Sequence, residues 1–367
     1  MTHPSPGPKG RTMLFTGFTG FIGRRLLPRL LPIWPDATWV LLTPPGDETR
    51  ARGHLDRILA ESPGFSGEVS ITQGEVSMPN LGMDRALADD LKHRLTHAFH
   101  LAAVQGSAPD DDLAFRVNVD GTIYLLDFLE QCPRFRRVVY FSSWAVAGDR
   151  RGVIREDELD LGQHFDTVVG RTKFMAEQKV RQRLDRVPAI ILRPSLVIGD
   201  AGDGSADRFD GFYGLLDYLG RFPKGTPFFS LNAMNEYVNL VPVNYVVEAA
   251  AALVQHPEAV GHCFSLADPR PLPAREIYHQ ALKLMGHRRL PVGLPGSLLR
   301  LAAKRAPGVL NRVGPPPGLL RYAVQDMRLD TTNARSLLEP MGVSCPYLPD
   351  YLPRVVDYYL AHAHRND

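Results

Sequence analysis

The feature that most constrains the fold is the stretch from Thr16 to Gly23, in which three glycines are spaced G-x-x-G-x-x-G. It follows a short apolar run and opens a helical pattern, so it lies between a predicted strand and a predicted helix. In that context Gly17 permits a tight turn and Gly20 leaves room for a pyrophosphate to approach backbone N–H groups. Gly23 then lets the helix and the strand pack closely. We therefore predict a dinucleotide site formed by Thr16, Gly17, Thr19, Gly20, Phe21, Ile22 and Gly23.

Predicted strands and helices alternate between residue 11 and about residue 200. The apolar runs that predict strands are Thr12–Thr16, Thr38–Leu42, Val69–Gln73, Ala98–Ala102, Arg137–Ser142 and Ala189–Leu192. The helical patterns include Phe21–Leu31, where Pro28 is expected to cause a kink or an irregular turn, Asp112–Glu130 and Val168–Leu184. This alternation indicates right-handed βαβ units, so we predict an α/β fold with a doubly wound, mostly parallel Rossmann sheet.

A second, smaller lobe is expected because the chain has 367 residues, which exceeds the usual size of one domain. Past residue 200 the alternation loosens, and from residue 270 proline is frequent and the helices look short. We expect the Rossmann domain to comprise residues 11–200 and 236–260. A mostly helical substrate lobe is then expected over residues 201–235 and 261–367.

Composition excludes several classes of protein. The three cysteines lie far apart without a C-x-x-C pair, so we expect neither a disulfide framework nor a metal site, and the reducing cytoplasm suits them. No uninterrupted apolar run reaches about 18 residues, so no membrane span is expected. Residues 1–10, with three prolines and two glycines, are expected to be a disordered tail rather than a signal peptide.

Further motifs follow the glycine turn along the chain. They are GEV (74–76), HLAA (100–103), RVNVDGT (116–122), YFSSWAVAG (140–148), GRTKFMAE (170–177), LRPSLVIG (192–199) and NLVPVNYVV (239–247). Together they resemble the extended short-chain dehydrogenases/reductases, which include NAD-dependent epimerases and dehydratases. The chain is most similar to the branch of thioester reductases, fatty-acyl reductases and 3β-hydroxysteroid-dehydrogenase-like enzymes. The resemblance covers residues 11–250, and the C-terminal third matches only in general character.

The resemblance implies roles for individual residues. Ser143 occupies the position of the family's serine or threonine, whose hydroxyl hydrogen-bonds a substrate carbonyl. Lys173 occupies the position of the family's lysine, which binds the nicotinamide ribose. The remaining residues implied on the cofactor side are Glu75, Val76, Ala102, Ala103, Asn118, Arg193, Pro194 and Ser195. A solvated turn residue remains an alternative for Glu75, and an ordinary strand-end serine remains one for Ser143.

One residue departs from the family pattern. The family's acid/base is a tyrosine four residues before the lysine, where the ammonium lowers the phenol pKa. Here that position is Val169, which has no proton to give. Tyr140 is expected on the face of its strand opposite to Ser143, because successive strand residues alternate between faces. His164, Asp166 and Tyr213 remain candidate replacements whose position the sequence does not determine.

The choice between NADP and NAD depends on the end of the second predicted strand. That strand ends in Leu42-Thr43-Pro44-Pro45, without the acidic residue that holds a 2′-hydroxyl in NAD-binding proteins. Arg24, directly after the glycine turn, is placed to meet a 2′-phosphate, with Arg50 or Arg52 in support. We therefore predict NADP as the cofactor and keep NAD as the alternative. A solvated helix residue is the other interpretation of Arg24.

Charge is unevenly distributed in the C-terminal third. Residues 277–325 contain no Asp or Glu and carry eight Lys or Arg residues, although the whole chain has a net charge of only +2. Within this span, residues 295–312 form a basic amphipathic pattern suited to an anionic or thioester-linked acyl substrate, or to weak contact with a membrane surface. A solvated basic face is the alternative. Residues 295–312 contain no aromatic residue between their basic residues, so no nucleic-acid partner is expected.

These features favour an NAD(P)-dependent oxidoreductase of lipid or secondary metabolism with an altered acid/base apparatus. Hydride would pass to a carbonyl, a thioester or a conjugated carbon near Ser143, without a proton from Val169. The first alternative is an isomerase or lyase that keeps the nucleotide as scaffold or transient redox partner. The second is a non-catalytic protein that binds NAD(P). A homodimer is compatible with each of these hypotheses.

Overall fold

The structure is a computed structural model that describes residues 10–106, 110–230, 235–293 and 327–363. Within them, seven strands pair in parallel to form the central sheet. These strands are β1 (Thr12–Thr16), β2 (Thr38–Thr43), β3 (Glu68–Gln73), β4 (Leu95–His100), β5 (Arg137–Phe141), β7 (Ala189–Pro194) and β12 (Cys263–Leu266). Their spatial order is β3-β2-β1-β4-β5-β7-β12, so the winding direction reverses between β1 and β4. Ligands bind at the carboxyl ends of strands beside such a reversal.

The remaining strands are short and lie mostly around the carboxyl edge and the second lobe. They are β6 (Gly152–Ile154), β8 (Leu196–Ile198), β9 (Pro227–Ser230), β10 (Tyr237–Val238), β11 (Leu240–Pro242), β13 (Leu272–Pro273), β14 (Arg288–Gly293) and β15 (Met327–Leu329). They pair in twos as β6 with β15, β8 with β11, β9 with β14, and β10 with β13. The β10–β13 pair is antiparallel and the other three are parallel.

Helices cover both faces of the sheet. In chain order they are α1 (Gly23–Leu30), α2 (Glu48–Ala60), α3 (Arg85–Arg94), α4 (Asp111–Phe115), α5 (Gly121–Glu130), α6 (Val168–Arg181), α7 (Tyr213–Gly220), α8 (Val243–Leu253), α9 (Ala274–Leu284), α10 (Thr332–Leu338) and α11 (Leu348–His362). One core lies between the sheet and α1, α2, α8 and α10, and another between the sheet and α3, α5 and α6. Because both faces are covered, all five residues of β1 are buried, which explains its uninterrupted apolar run.

The second lobe has its own core, built from α7, α9 and α11. Tyr213 and Tyr359 stack in it with ring centroids 5.8 Å apart. The expectation of short helices after residue 270 is wrong for α11, which spans 15 residues. Its Pro349 lies in the first turn, where the missing N–H has no intrahelical acceptor, and Pro353 lies further inside.

Three predicted boundaries are corrected by the structure. The strand predicted at Ala98–Ala102 is β4, which begins at Leu95 and ends at His100. The helix predicted at Asp112–Glu130 is interrupted by a π-helical turn at Arg116–Asp120. The expected end of the Rossmann domain at residue 260 separates β12 from the sheet to which it belongs. Pro28 lies within α1, which continues to Leu30.

Two predictions concern residues that lie outside the described ranges. They are the disordered tail, of which only Gly10 is described, and the basic amphipathic pattern at residues 295–312. The described part of the basic span contributes Lys283 on α9 and Arg288 and Arg289 on β14.

A buried carboxylate attaches the C-terminal segment to the sheet. Glu156, only 1% exposed, accepts the N–H of Ser265 on β12 at 2.7 Å and the N–H of Ala334 at 3.2 Å. It also accepts the N–H of Asn333, so it satisfies two amides in the first turn of α10. The Asn333 amide group in turn donates to the carbonyl of Cys263 at 3.3 Å.

Replacing Glu156 by Gln should therefore loosen the C-terminal segment. The Gln side chain presents one oxygen and an NH₂ group where three amides require acceptors, so we expect a loss of roughly 1–3 kcal/mol in the free energy of unfolding. Urea unfolding measures this, and amide hydrogen exchange over residues 327–340 should increase. Glu339→Gln, which removes only a surface pair with Arg335, is the control and should change neither. Equal exchange in E156Q and wild type would contradict the assigned role.

Candidate active site

The glycine turn has the backbone geometry that its spacing predicts. Gly17 has φ +75, and a Cβ there would lie 2.5 Å from the Ala102 nitrogen. A Cβ on Gly23 would lie 2.2 Å from the Gly17 oxygen, so the start of α1 packs against the turn without room for a side chain. Gly20 is different, because the Gly17 oxygen at 3.2 Å is the only described atom that a Cβ would meet. The space in front of Gly20 is open, and the turn fits a pyrophosphate.

A chain of buried hydrogen bonds lies directly beneath this turn. The Thr16 hydroxyl accepts the Ala102 N–H at 3.3 Å and contacts Nδ1 of His100 at 2.8 Å. Nε2 of His100 contacts the Thr122 hydroxyl at 3.3 Å, which donates to the Asn118 carbonyl at 2.7 Å. Since the single proton of Thr122 is used there, Nε2 of His100 must be the donor and Nδ1 the acceptor. Burial and the nearby Lys173 lower the pKa of His100 to about 3, which keeps the imidazole neutral.

Asn118 extends this chain to helix α6. Its side chain accepts the Val104 N–H at 2.8 Å and donates to the Val104 carbonyl at 3.1 Å and to the Thr172 hydroxyl at 3.0 Å. Asn118 lies in the π-helical turn that interrupts the predicted helix, and it is buried. Its amide is therefore occupied by protein groups, which makes it a residue that fixes the loop after β4 against α6.

Ser143 and helix α6 meet at the carboxyl end of β5. Ser143 caps a short 3-10 turn, Trp144–Ala147, and its oxygen accepts the Ala145 N–H at 3.2 Å. That bond leaves the Ser143 proton without an acceptor among the described residues. A Cβ on Gly170 would lie 3.0 Å from the Ala145 oxygen, so the start of α6 packs closely on the Ser143 turn.

Lys173 is buried one turn further along α6. Its ammonium donates to the Phe141 carbonyl at 2.8 Å and lies 5.6 Å from the centre of the Tyr140 ring. Burial lowers the pKa of Lys173 to about 8, against the raising effect of Glu177. The charged form is thus held in a place where solvent does not stabilise it.

A fully buried ion pair lies behind Ser143 and Lys173. Glu177, one helical turn after Lys173, accepts two hydrogen bonds from the Arg193 guanidinium, at 3.0 and 2.7 Å, and one from Ser142 at 2.6 Å. Burial alone would raise the pKa of Glu177, but the Arg193 guanidinium holds it below its usual value. Arg193 was predicted on the cofactor side, whereas its side chain is turned into the protein onto Glu177.

Val169 lies in the first turn of α6, four residues before Lys173, as the sequence indicates. The other candidate acids lie elsewhere. Tyr140 is buried against His100, with ring centroids 5.8 Å apart. Tyr213 is buried in the second lobe, where its oxygen accepts the Gly199 N–H at 2.9 Å. His164 is 88% exposed and lies 3.5 Å from Asp149, and Asp166 is also exposed.

The arginines beside the glycine turn differ in their partners. Arg24 and Arg25 both pair with Asp207 from the loop after β8, so the charge of Arg24 is partly neutralised. Arg50, on the first turn of α2, donates to the Thr19 carbonyl at 3.4 Å and has no carboxylate partner within the described chain. Burial, followed by the charges of Arg25 and Arg50, lowers the pKa of Arg24 to about 10. Positive charge therefore accumulates where the 2′ position of a dinucleotide was predicted.

The remaining predicted residues surround the same edge of the sheet. Val76 is buried and contacts Gly121, and the Glu75 carboxylate accepts hydrogen bonds from Ser77. Pro194 pairs in register with Leu266, and the Ser195 hydroxyl donates to the Asn239 carbonyl at 2.7 Å. Ala102 and Ala103 follow β4, while Phe21 and Ile22 precede α1, where the Arg25 guanidinium lies over the Phe21 ring at 4.5 Å.

A shallow cleft, open to solvent, lies at the carboxyl ends of β5 and β7 and encloses only about 20 Å³. Among the described residues, its lining is mostly apolar: Trp144, Ser195, Leu196, Tyr237, Val238, Asn239, Met327 and Leu329. Trp144 directly follows Ser143 in the chain, although Ser143 itself does not line the cleft. No group of His, Cys, Asp or Glu side chains in the described chain is arranged to hold a metal ion. No described helix has the length and apolar character needed to cross a membrane.

The fold and this site define a class. A glycine turn at the reversal of a doubly wound sheet, with Ser143 and Lys173 at the carboxyl end of β5, is the arrangement of an extended short-chain dehydrogenase/reductase with a nicotinamide dinucleotide site. Residues 15–250 match the model of an NAD-binding family described as "Male sterility protein". Because that match covers more than half of the chain, the protein belongs to this family.

Reductases are among its relatives. Chicken (Gallus gallus) fatty acyl-CoA reductase 1 is 28% identical over 285 residues, which cover 66% of this chain and 54% of the relative. The large subunit of L-2-aminoadipate reductase from Penicillium chrysogenum is 26% identical over 276 residues, covering 68% of this chain and 19% of that protein. The chain thus spans about half the length of the fatty acyl-CoA reductases it matches.

The structural similarity extends further along the chain. The terminal R domain of the myxalamid PKS-NRPS biosynthetic pathway superposes with a TM-score of 0.76 and 25% identity, covering 97% of this chain and 91% of that domain. The similarity therefore includes the second lobe, which the sequence motifs did not reach.

Sequence reasoning missed several residues of the site. The His100–Thr122 link and the contact of Thr172 with Asn118 join residues far apart in the chain, and no local pattern indicates them. Glu177 could have been predicted from the sequence, because it lies four residues after Lys173 and therefore on the same face of α6. Tyr237 gave no local signal, since only folding brings it to the cleft beside Trp144.

Two glycine substitutions should separate binding from folding. Gly20→Asp places bulk and negative charge where the pyrophosphate would lie, so we expect loss of NADPH binding with the unfolding temperature nearly unchanged. Gly23→Ala forces a Cβ onto the Gly17 oxygen, so we expect a lower unfolding temperature. Calorimetric titration with NADPH and thermal unfolding measure the two effects. Undiminished NADPH affinity in G20D would mean that the stretch is only a turn.

Lys173→Met should change how stability depends on pH. The folded-state pKa of Lys173, about 8, lies below its ordinary value of 10.5, so between these values the unfolded chain holds a proton that the folded chain lacks. The free energy of unfolding of the wild-type protein should therefore increase as pH rises from 8 to 10.5, by on the order of 3 kcal/mol over the whole interval. It should decrease by the same amount as pH falls through that interval.

The comparison of K173M with wild type isolates this contribution from other titrating groups. We expect the difference in unfolding free energy between the two proteins to shift in favour of wild type between pH 7.5 and pH 10. We also expect K173M to bind NADPH more weakly, because the resemblance assigns this ammonium to the nicotinamide ribose. A pH-independent difference would contradict the burial of a charged Lys173.

Proposed function

We propose that this chain reduces an acyl thioester with NADPH. The observation that carries the proposal is the mostly apolar cleft at the carboxyl ends of β5 and β7, lined by the residue after Ser143, in a chain similar to fatty acyl-CoA reductases. Leu196, Val238 and Met327 give this cleft a surface suited to an acyl chain. The resemblance to the R domain of a PKS-NRPS pathway supports a thioester rather than a free acid as the bound form.

NADPH is proposed over NADH because of the charges beside the glycine turn. Arg50 is held at the Thr19 carbonyl and has no carboxylate partner among the described residues. Arg24 adds positive charge next to it, although it shares Asp207 with Arg25. The second strand ends at Thr43 without an acidic residue, so nothing there favours a free 2′-hydroxyl.

The protein's own groups perform three tasks in this proposal. The turn at Gly17–Gly23 binds the pyrophosphate, and the Lys173 ammonium donates to the ribose hydroxyls. The Ser143 hydroxyl, whose oxygen is already oriented by the Ala145 N–H, donates a hydrogen bond to the thioester carbonyl. Bound NADPH supplies the hydride. Donation by Ser143 polarises the carbonyl and stabilises the negative charge that develops on its oxygen.

The reaction is tested by incubating the protein with NADPH and a series of acyl-CoA thioesters. We expect absorbance at 340 nm to fall only when a thioester is present, and free thiol to be released as NADPH is consumed. NADPH oxidation on ketones without thiol release would contradict the thioester as substrate. Product formation without net NADPH use would favour an isomerase or lyase, and nucleotide binding alone would favour a non-catalytic protein.

Cofactor choice is tested by Arg50→Gln. A charge-assisted contact with the 2′-phosphate would be lost, so we expect the Kd for NADPH to rise by roughly 10- to 100-fold and the Kd for NADH to stay the same. Arg52→Gln is the matched control, because Arg52 is exposed on the same helix but is not held at the glycine turn. Equal weakening for both nucleotides in R50Q would contradict a role in 2′-phosphate recognition.

A further inference from the structure

The site described so far lacks a group that gives a proton to the reduced carbonyl. Val169 has none, Tyr140 and Tyr213 are buried in the cores of the sheet and of the second lobe, and His164 points to solvent. Lys173 donates one N–H to the Phe141 carbonyl and is assigned to the ribose hydroxyls in the proposed function. Within the described ranges of the chain, a donor has to come from another element that lines the cleft.

Tyr237 is the one titratable side chain among the described residues that line the cleft. The other lining groups are apolar side chains, the Trp144 indole, the Asn239 amide and the Ser195 hydroxyl, whose proton is given to the Asn239 carbonyl. Tyr237 and Trp144 belong to the same lining, and Trp144 adjoins Ser143 in the chain. Tyr237 thus lines the same cleft as the residue that directly follows the predicted carbonyl-binding serine.

The position of Tyr237 is fixed from three sides. Two residues further on, the Asn239 carbonyl accepts the Ser195 hydroxyl at 2.7 Å and the Leu196 N–H at 3.3 Å, which ties the segment to the end of β7. Tyr237 itself pairs with Pro273 in the β10–β13 ladder. The Arg328 guanidinium lies over its ring, 4.3 Å from the centroid.

We propose that Tyr237 is a catalytic residue that donates the proton which the family's usual tyrosine, replaced here by Val169, cannot. The proposal rests on the proposed thioester reduction. The second lobe thereby contributes the acid, and helix α6 keeps only the lysine.

The step balances as follows. The thioester carbonyl carbon accepts a hydride from the reduced nicotinamide. The hydride carries one proton and two electrons, so the nicotinamide is oxidised. The carbonyl π pair moves to the oxygen, the O–H bond of Tyr237 breaks, and its proton forms a new O–H bond on the substrate. The product is a hemithioacetal and the Tyr237 phenolate, which regains its proton from water. When the C–S bond later breaks, the thiol leaves and an aldehyde remains.

The test compares Tyr237→Phe with the wild-type protein, using NADPH and the acyl-CoA on which the wild type is most active. We expect kcat to fall by about 10²- to 10⁴-fold, with the Kd for NADPH and the unfolding temperature unchanged. Tyr347→Phe is the matched control, because its ring also carries an arginine, Arg270 at 4.8 Å, but does not line the cleft. It should keep the wild-type kcat.

A second variant tests the role rather than the residue. In Y237F, adding Val169→Tyr puts a phenol back one turn before Lys173, and we expect it to recover at least tenfold in kcat. No recovery, an unchanged kcat in Y237F, or a raised KM with unchanged kcat would each overturn the proposal. If the wild type consumes no NADPH with any thioester, the proposed function fails instead, and that result is seen before any variant is made.

Discussion

The interaction on which the rest of the site depends is the buried hydrogen-bond chain that runs from Thr16 through His100 and Thr122 to Asn118. It connects the end of β1, where the nucleotide turn begins, to helix α6, which carries Lys173. Because each hydroxyl has one proton and His100 is neutral, the direction of every bond is determined. The turn and the catalytic helix are therefore held in one relative position by groups that solvent does not reach.

The same burial explains the charges around Lys173. Glu177 lies one turn away and would be its natural counter-ion, but the Arg193 guanidinium already binds that carboxylate with two hydrogen bonds. Lys173 is left with a carbonyl and the face of Tyr140. Without a ligand, the charge of Lys173 is only partly compensated. A ligand that offers hydroxyl oxygens therefore binds this ammonium more strongly than it would bind a solvated one.

Local sequence patterns correctly predicted those elements whose position depends on neighbouring residues in the chain. The strand β1, the glycine turn and the start of α6 follow from apolar runs, spaced glycines and helical periodicity, and all three lie where the sequence placed them. The strand β4 was shifted because Leu101 and Ala102 are as apolar as the strand itself. It ends at His100, whose imidazole contacts Thr16, 84 residues earlier in the chain. The frequent prolines also led to the wrong prediction that the helices after residue 270 are short. Pro349 lies in the first turn of α11, where a helix tolerates proline.

The attachment of the C-terminal segment has a consequence for the sheet as a whole. Strand β12 is the last in the sheet, and an outermost strand presents unpaired N–H and C=O groups that another chain could use for pairing. Here the Glu156 carboxylate takes the N–H of Ser265, and the Asn333 amide takes the carbonyl of Cys263. Two side chains thus occupy backbone positions that a neighbouring strand would need. Glu156 and the segment that carries Asn333 thereby leave fewer backbone groups free for pairing along the β12 edge of the sheet.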